Sequence, residues 1–331
     1  MLELSISRVR EILDGTKGKV IAVIGDVMLD RYFWGNVTRV SPEAPVPVID
    51  YEDETFHLGG AANVANNLLS LGISPLLCGV LGKDKYSAKF KEIAEEKGIS
   101  SSGLFEDESR LTTVKTRIIG NNQQIARLDR ETRDIITTDV EEHIIRTLEE
   151  TDNLAGIVFE DYNKGTITEF LITETINFAK SKNIPVFVDP KFDHFFAYKN
   201  ATVIKPNLKE ASKAVGRELK SRTELENAGR EILDRLDADN LLLTLSSEGM
   251  MLFERNGDIS SVPTHARMVS DVSGAGDTAI ATLASAMVGG ANAKEAATIA
   301  NLAAGVVCEH PGIVSIEPLD LFDSVARNSV H

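Results

Sequence analysis

Short apolar runs rich in β-branched residues recur along the chain and alternate with segments of helical periodicity. A run of about four to eight apolar residues bounded by turn residues is typical of a buried strand. Such runs lie at residues 19–25, 75–81, 155–160, 185–189, 201–204 and 240–245. Helical patterns separate them at residues 61–71, 85–97, 166–182, 208–215 and 222–236. The alternation predicts an α/β fold with a doubly wound, mostly parallel sheet flanked by helices.

Two stretches interrupt this alternation and predict strands outside the main sheet. Residues 31–58 contain three prolines, and residues 111–129 alternate around the turn signal Gly120-Asn-Asn122. We expect both to form antiparallel strands in a small inserted β-sheet, a lid made of about residues 31–58 and 109–130. Ordinary edge hairpins are the alternative. The 331 residues are otherwise expected to form a single domain, 1–331.

The segment Asp271-Val-Ser-Gly-Ala-Gly-Asp277 precedes a small-residue run at 279–288 that predicts a buried helix. The amides of Gly274 to Asp277 would then form its first turn, where unpaired N–H groups suit a transferring phosphoryl group. Asp277 would act there as the base for an attacking hydroxyl. Helix capping is the bland alternative. A dinucleotide fingerprint is disfavoured, because no strand precedes the segment directly and Glu295 lies on the next helix.

Carboxylates follow or end several predicted strands. Because ligands bind beyond the carboxyl ends of parallel strands, we expect Asp26, Asp161 and Asp189 to converge on one crevice. Asp26 and Asp30 could accept hydrogen bonds from neighbouring sugar hydroxyls, with solvated turn residues as the alternative. Gly59 and Gly60 open a helix and allow close approach of a ligand to Asn63, which can both donate and accept.

A second group of polar residues predicts a nucleotide site. Asn207 would cap a helix, and Glu210, one turn on, could hold Mg²⁺ through water, since this ion keeps several waters and takes few carboxylates. The segment Thr244 to Gly249 ends a strand with hydroxyls and a glycine suited to phosphates. The candidate cations for phosphate groups, each with surface exposure as its alternative, are Arg127, Lys164 and Lys191. The sequence contains no Walker A, protein-kinase or metalloprotease signature.

Composition limits the classes of partner that the protein can bind. A net charge of −15 argues against nucleic acid and anionic membranes, although local lysines and arginines can still bind a phosphorylated substrate. Cys78 and Cys308 lie in apolar runs and are expected to be buried free thiols. The N-terminal Met-Leu-Glu-Leu-Ser lacks the marks of a signal peptide, and no apolar stretch reaches membrane-spanning length. A cytoplasmic protein is expected.

From Val20 to Ser315 the chain resembles the ribokinase/PfkB-type carbohydrate kinase family. The general marks are Gly59 to Asn63, Asn207 to Glu210 and Ser273 to Asp277. Further segments resemble those members that act on heptose 7-phosphate, and Ser41 to Val48 is the most distinctive of them. These further segments are Gly25–Tyr32, Arg39–Val48, Asn122–Gln124, Arg127–Asp129 and Asp161–Gly165.

This resemblance implies an activity and a set of site residues. The activity is ATP-dependent phosphorylation of the C1 hydroxyl of D-glycero-D-manno-heptose 7-phosphate to the 1,7-bisphosphate, on the route to ADP-heptose and the lipopolysaccharide core. Asp277 is the implied base, with Gly274, Ala275 and Gly276 in the anion hole. The implied ATP and Mg²⁺ residues are Asn207, Leu208, Lys209, Glu210, Lys191, Thr244, Ser246, Gly249 and Asn301. The implied sugar residues are Asp26, Asp30, Gly59, Gly60, Asn63, Arg127, Asp161 and Lys164. Asp271 and Ser273 resemble a site for a monovalent cation such as K⁺.

Other readings stay open at this point. The substrate could be fructose phosphate or a simple sugar, or the chain could be a non-catalytic sugar-phosphate binder. Asp277, the glycines and Glu210 argue against a pure binder, which needs no base. A homodimer through the lid is expected. Some related kinases are fused to a nucleotidyltransferase domain with a His-x-Gly-His signature; because that signature is absent, we expect the kinase alone.

Overall fold

The computed structural model describes residues 4–264 and 270–328, so both ends of the predicted 1–331 domain lie outside the described residues. The strands are β1 (Val20–Gly25), β2 (Val27–Val40), β3 (Pro47–Gly60), β4 (Ser74–Gly82), β5 (Leu104–Asp107), β6 (Thr113–Gly120), β7 (Gln123–Arg130), β8 (Leu154–Glu160), β9 (Val186–Asp189), β10 (Val203–Ile204), β11 (Asn240–Thr244), β12 (Met250–Glu254) and β13 (Ile259–Val262). The helices are α1 (Ile6–Asp14), α2 (Ala61–Ser70), α3 (Lys85–Glu96), α4 (Thr138–Glu149), α5 (Glu169–Lys182), α6 (Leu208–Ala214), α7 (Arg222–Leu236), α8 (Ala275–Val288), α9 (Ala293–Cys308) and α10 (Pro318–Asn328).

Within residues 4–264, nine strands form one sheet in the order β13-β12-β11-β10-β9-β8-β1-β4-β5. The strands from β11 to β5 pair in parallel, and β12 and β13 complete the other edge in antiparallel fashion. The predicted α/β fold with a mostly parallel sheet is therefore confirmed. The carboxyl ends of β1, β8 and β9 lie side by side, because β8 pairs with both of the other two strands.

The core lies on both faces of the main sheet, as the alternation of β1 shows. Ile21 and Val23 belong to the apolar cluster that includes residues of α2, α8 and α9. Ala22 and Ile24 belong to the opposite cluster, which includes residues of α4, α5 and α7. Successive side chains of a strand point to opposite faces, so a strand that is buried on both sides reads as a continuous apolar run.

A second, four-stranded sheet has the order β3-β2-β6-β7, and we call it the small sheet. The β6–β7 turn uses Asn121 and Asn122, both with positive φ, which is the turn geometry that suits the twist of a hairpin. The two hairpins are antiparallel as predicted, but β2 and β6 join them in parallel. The prediction contained only antiparallel strands here. Strands β2 and β6 run in parallel because they follow β1 and β5, which run in the same direction in the main sheet. That the small sheet acts as a lid stays a prediction.

Several elements are absent from the sequence-based prediction. Strand β5 is only four residues long and half polar, and α4 begins with an acidic turn, so neither gives a clear apolar pattern. Helices α1 and α10 and strands β12 and β13 were also not predicted. Helix α5 begins at Glu169 rather than at residue 166, because the Thr168 side chain caps it by accepting from the Leu171 amide. Cys78 is a buried free thiol, and Cys308 is half-buried.

Candidate active site

Helix α8 begins at the position where the sequence predicts a cradle of backbone amides. Gly274 is its N-cap with φ of 80°, a conformation that favours glycine, and a Cβ there would lie 2.9 Å from Asn63 Nδ2. The Ala275 amide already donates to the Val272 carbonyl at 3.3 Å. The amides of Gly276 and Asp277 have no backbone acceptor among the described residues. They remain available to an anion at the positive end of a fourteen-residue helix.

Asp277 lies in the first turn of α8 and is only 6% exposed. Its carboxylate accepts from Asn63 Nδ2 at 2.8 Å and from the Tyr162 hydroxyl at 2.9 Å. Burial raises the pKa of the Asp277 carboxyl, and the nearby Asp189 raises it further, while the two hydrogen bonds oppose the shift. A buried carboxylate with a raised pKa, beside free helix amides, has the chemistry of a general base for a hydroxyl.

The loop after β8 is organised by Asp26. Its buried carboxylate accepts from the backbone amides of Tyr162 at 2.8 Å, Lys164 at 3.0 Å and Thr166 at 3.2 Å. Gly60 lies next to this residue, with φ of 59°, and a Cβ there would lie 2.3 Å from the Asp26 carbonyl oxygen. Asp26 therefore fixes the loop that carries Tyr162; its contact with sugar stays a prediction.

Asp161, in the same loop, points to different partners. One carboxylate oxygen accepts from the Tyr198 hydroxyl at 3.0 Å and the other from the Asn163 amide at 2.8 Å. Burial raises the pKa of Asp161 to about 6, against the effect of these hydrogen bonds. The two predicted sugar ligands Asp26 and Asp161 thus have their carboxylates engaged with protein groups, and a direct sugar contact for Asp161 also stays a prediction.

The small sheet contributes Asp30 to the crevice. Asp30 forms a hydrogen-bonded ion pair with Arg117 from the neighbouring strand β6. A Cβ on Gly59 would lie 2.1 Å from Asp30 Oδ2, so glycine is needed for this close approach. The structure thus places Gly59 against Asp30, and Asn63, in the first turn of α2, against Asp277; their contact with a sugar stays a prediction.

The predicted phosphate-binding residues Arg127 and Lys164 already pair with carboxylates of the protein. Arg127 is half-exposed and makes a bidentate pair with Asp129, both N···O distances being 2.9 Å. Lys164 pairs with Glu131. By contrast, the Lys115 ammonium has no hydrogen-bond or ion-pair partner among residues 4–264 and 270–328; it lies 4.9 Å from the Tyr162 ring centroid. Burial lowers the pKa of Lys115.

The proposed nucleotide residues lie at the ends of β10 and β11. Asn207 and Glu210 form a capping box at the start of α6, with Leu208 and Lys209 exposed in its first turn. Asn207 also forms a parallel bridge with Thr244, which brings the Ser246–Gly249 turn beside it. Glu210 Oε1 accepts from Lys191 Nζ at 2.6 Å. Asn301 of α9 donates to the Pro263 carbonyl at 2.8 Å.

A buried ionic cluster lies behind the anion cradle. Lys205 pairs with Asp189 at 2.7 Å, and both are almost fully buried. A Cβ on Gly276 would lie 3.7 Å from both charged groups of this pair. Glu160 is the neighbour of Asp189 in the sheet, and its Oε2 has no hydrogen-bond partner among the described residues. Burial raises the pKa of Glu160 well above its usual value, with Asp189 and Asp277 adding to the shift.

No cluster of three or more His, Cys, Asp or Glu suited to a metal occurs among residues 4–264 and 270–328. Mg²⁺ in proteins usually keeps several waters and takes few carboxylates, and Glu210 is the buried carboxylate beside the proposed nucleotide residues. Asp271 accepts from the amides of Ser273 at 2.9 Å and Gly312 at 3.2 Å. Although burial opposes it, these bonds lower the pKa of Asp271 and keep it anionic.

Sequence reasoning missed Tyr162, Lys115, Arg117 and Lys205. Tyr162 lies within the Asp161–Gly165 segment, in which only the charged residues gave a signal for a binding site. The alternation of Lys115 and Arg117 in β6 was a usable signal, since both then share one face of the strand. Lys205, directly before Pro206, resembles any strand-end lysine in sequence, and only the fold shows it buried against Asp189.

Comparison with known proteins relates this site to a family. The model of the pfkB family carbohydrate kinases matches residues 19–319 of the chain. The bifunctional protein HldE of Geobacter sulfurreducens is 44% identical over 304 residues, which is 92% of this chain and 62% of that protein. The HldE of Geobacter metallireducens is 42% identical over the same shares of the two chains. The chain thus spans about three fifths of the length of these relatives.

Solved structures show the same fold. Phosphofructokinase-2 from Escherichia coli in complex with fructose-6-phosphate superposes with a TM-score of 0.77 at 17% identity, covering 93% of this chain and 98% of that one. Ribokinase from Arabidopsis thaliana complexed with ribose and ATP gives 0.73 at 20% identity, covering 93% and 99%. In the described residues, no helix is long and apolar enough to cross a membrane.

Proposed function

Because this chain belongs to the pfkB family of carbohydrate kinases, we propose that it transfers the γ-phosphoryl group of ATP to the C1 hydroxyl of D-glycero-D-manno-heptose 7-phosphate. The observation that carries the transfer is the buried Asp277 carboxylate beside the free amides of Gly276 and Asp277. The choice of sugar is supported by the segments around Asp26, Arg39, Arg127 and Asp161, and by the similarity to HldE proteins.

In this proposal the Asp277 carboxylate accepts the proton of the C1 hydroxyl as the sugar oxygen attacks the γ-phosphorus. The bond between the γ-phosphorus and the β,γ-bridging oxygen breaks, and ADP leaves. Negative charge on the phosphoryl oxygens is stabilised by the amides of Gly276 and Asp277. Asn63 donates to Asp277 and fixes the orientation of the carboxylate relative to the sugar. Removal of water from the buried site strengthens each of these interactions.

The small sheet supplies a place for the 7-phosphate. In the β6–β7 register, Lys115 faces Asp129 and Arg117 faces Arg127, and residues paired across strands share a face. Lys164 pairs with Glu131, the residue that directly follows β7. Four cations are thus connected to the β6–β7 pair. Arg117, Arg127 and Lys164 each pair with a carboxylate, whereas the Lys115 ammonium pairs with no carboxylate among the described residues. A phosphate dianion would restore a counterion to this half-buried ammonium.

A comparison of phosphorylated and unphosphorylated sugars tests this function. We expect wild type to prefer heptose 7-phosphate over heptose and fructose 6-phosphate, with the product identified by NMR. Arg127→Ala should raise the apparent KM for heptose 7-phosphate by about one to two orders of magnitude, because a charge-assisted contact is worth roughly 1.5–3 kcal/mol. The KM for ATP should change little.

Arg222→Ala is the matched control, because Arg222 also pairs with an acid but lies on α7. Equal losses for ATP and sugar in Arg127→Ala would indicate a structural role for Arg127. Equal efficiency of wild type on heptose and heptose 7-phosphate would overturn the phosphate region itself.

A bound Mg²⁺ ion would supply positive charge that offsets the negative charge of the ATP phosphates. Glu210 would hold it through water, and this carboxylate also accepts from Lys191 and from the Asn207 amide. We expect Glu210→Gln to raise the Mg²⁺ concentration for half-maximal rate by about tenfold, since a neutral amide attracts the hydrated ion less. Glu224→Gln is the control, because Glu224 has the same capping-box position in α7. A magnesium titration that is unchanged in Glu210→Gln would remove this residue from the site.

We also propose a site for a monovalent cation. The anionic Asp271, held by the amides of Ser273 and Gly312, offers an oxygen ligand for K⁺ beside the anion cradle. The rate should therefore be higher in K⁺ than in an equal concentration of tetramethylammonium. Identical rates in the two salts would contradict this site.

The small sheet is also the proposed dimer contact. Val40, Tyr51 and Leu128 are apolar side chains on its strands that are each at least 60% exposed. A second copy packed on these residues would bury them. Sedimentation at micromolar concentration should give the mass of two chains, and the mass of one chain would exclude the dimer under those conditions.

A further inference from the structure

The Tyr162 side chain stands at the centre of the candidate active site, although the proposed phosphoryl transfer gives it no role. Its hydroxyl donates to Asp277 Oδ1 at 2.9 Å, while Asn63 donates to the other oxygen, Oδ2, at 2.8 Å. Each oxygen of the base thus has one fixed donor. One lone pair on each oxygen stays available for the proton of a substrate hydroxyl.

The tyrosine ring is held from both sides of the crevice. The ammonium of Lys115, on β6 of the small sheet, lies 4.9 Å from the ring centroid, and that of Lys191, after β9, lies 5.1 Å from it. Cations at this distance are attracted to the ring. The backbone of Tyr162 is fixed as well, because its amide donates to Asp26 Oδ2 at 2.8 Å. Backbone and ring are therefore both restrained before substrate binds.

The Tyr162 phenol stays protonated and can therefore act as a permanent hydrogen-bond donor. Burial raises the pKa of Tyr162 well above its usual value, and the negative charge of Asp277 adds to the shift. The hydroxyl therefore keeps its proton throughout the pH range in which a carboxylate base titrates. A neutral donor to the ionised form of a carboxyl lowers the pKa of that carboxyl.

From these contacts we infer that Tyr162 is a positioning residue, which orients the Asp277 carboxylate and favours its ionised form through the phenol–carboxylate hydrogen bond. The inference rests on the proposed role of Asp277 as the base. It assigns Asp26 an indirect part, since Asp26 holds the loop that presents the phenol. It also gives Lys115 and Lys191 a second task beside phosphate binding, which is to fix the ring.

The test is the pH profile of kcat/KM in Tyr162→Phe. Loss of the donor should move the acid limb to higher pH by at least about half a unit and reduce kcat at neutral pH by about tenfold. The sign follows because the acid limb reports protonation of the base, and a base that has lost a donor to its ionised form protonates at higher pH. The KM for ATP should stay within about twofold.

Tyr198→Phe is the matched control, because Tyr198 is also a buried phenol that donates to a carboxylate, but to Asp161 rather than to the base. Its acid limb should stay where the wild-type limb lies. An unshifted limb in Tyr162→Phe, or an equal shift in both variants, would overturn the inference. A higher kcat in Tyr162→Phe would also overturn it, by showing that the phenol competes with the substrate hydroxyl.

The experiments distinguish a failure of this inference from a failure of the proposed function. If Asp277→Asn retained activity, the assignment of the base would fail, and the role of Tyr162 would fail with it. If Asp277→Asn were inactive and Tyr162→Phe unshifted, only the inference about Tyr162 would fail. The profile can be measured with whichever sugar the enzyme accepts, because the base acts on the attacking hydroxyl and not on the distal phosphate.

Discussion

Asp277→Asn is expected to lower kcat by at least about 10²-fold while the protein still folds and binds both substrates. The amide is nearly the size of the carboxylate but cannot accept a proton from the sugar at neutral pH. Its oxygen can still accept from Asn63, and its NH₂ group can donate to the Tyr162 oxygen if that hydroxyl rotates. Because both neighbours keep a hydrogen-bond partner, the loss should appear in turnover and not in stability.

The measurement is steady-state kinetics together with ATP binding and thermal unfolding. Asp84→Asn serves as the control for loss of a carboxylate elsewhere: an asparagine can still cap α3, while the ion pair of Asp84 with Arg130 is lost. Turnover within a few-fold of wild type in Asp277→Asn would refute the assignment of the base. A large fall in the melting temperature would instead show that the charge of Asp277 supports the fold.

The main sheet was predictable because strands buried on both faces leave continuous apolar runs, as in Val20–Gly25 and Leu154–Glu160. The start of α8 was predictable for a similar local reason, since glycine and a polar residue before a small-residue run mark a helix start. What local patterns could not give is the pairing of distant elements. The parallel joint between β2 and β6 connects residues more than 80 positions apart, such as Met28 and Thr113.

The direction of each strand-end carboxylate was also beyond local reasoning. Asp26, Asp161 and Asp189 were expected to converge on one crevice, with Asp26 and Asp161 as sugar ligands. In the fold, Asp26 accepts from three loop amides, Asp161 turns to Tyr198, and Asp189 pairs with Lys205. Each of these contacts joins the carboxylate to another part of the chain. A buried polar group must be satisfied, and its partner decides where it points.

For the exposed Arg127, by contrast, a local rule could have refined the prediction. Arg127 and Asp129 are two positions apart on β7, so they share a face, and their bidentate pair follows from that spacing. Lys115 is different, because its lack of a carboxylate partner among the described residues is visible only in three dimensions. Its half-buried, unpaired charge is the stronger sign of a site for an anion.

Removing the buried cation behind the anion cradle is expected to have the largest effect on stability. Lys205→Met should lower the free energy of unfolding by about 3–5 kcal/mol, because the buried Asp189 loses its hydrogen-bonded cation and the neighbouring Glu160 loses one of two nearby cations. Methionine keeps the length of the side chain and so limits the cavity. Chemical denaturation of wild type and variant measures the difference. Lys220→Met is the control: its pair with Glu218 is exposed, and a loss of at most about 1 kcal/mol is expected there.

The pH dependence of that loss identifies its cause. Burial already raises the pKa of Glu160 in the folded protein, and Lys205 opposes this shift, so the variant should raise it further. A carboxyl whose folded pKa exceeds its unfolded pKa, about 4.3 for glutamate, destabilises the fold increasingly as pH rises above the unfolded value. The deficit of Lys205→Met should therefore be largest near pH 8 and shrink toward pH 5, where the buried carboxyl can take up a proton. A deficit that is constant across this range would point to lost packing around the lysine stem, and the electrostatic account of the cluster would be wrong.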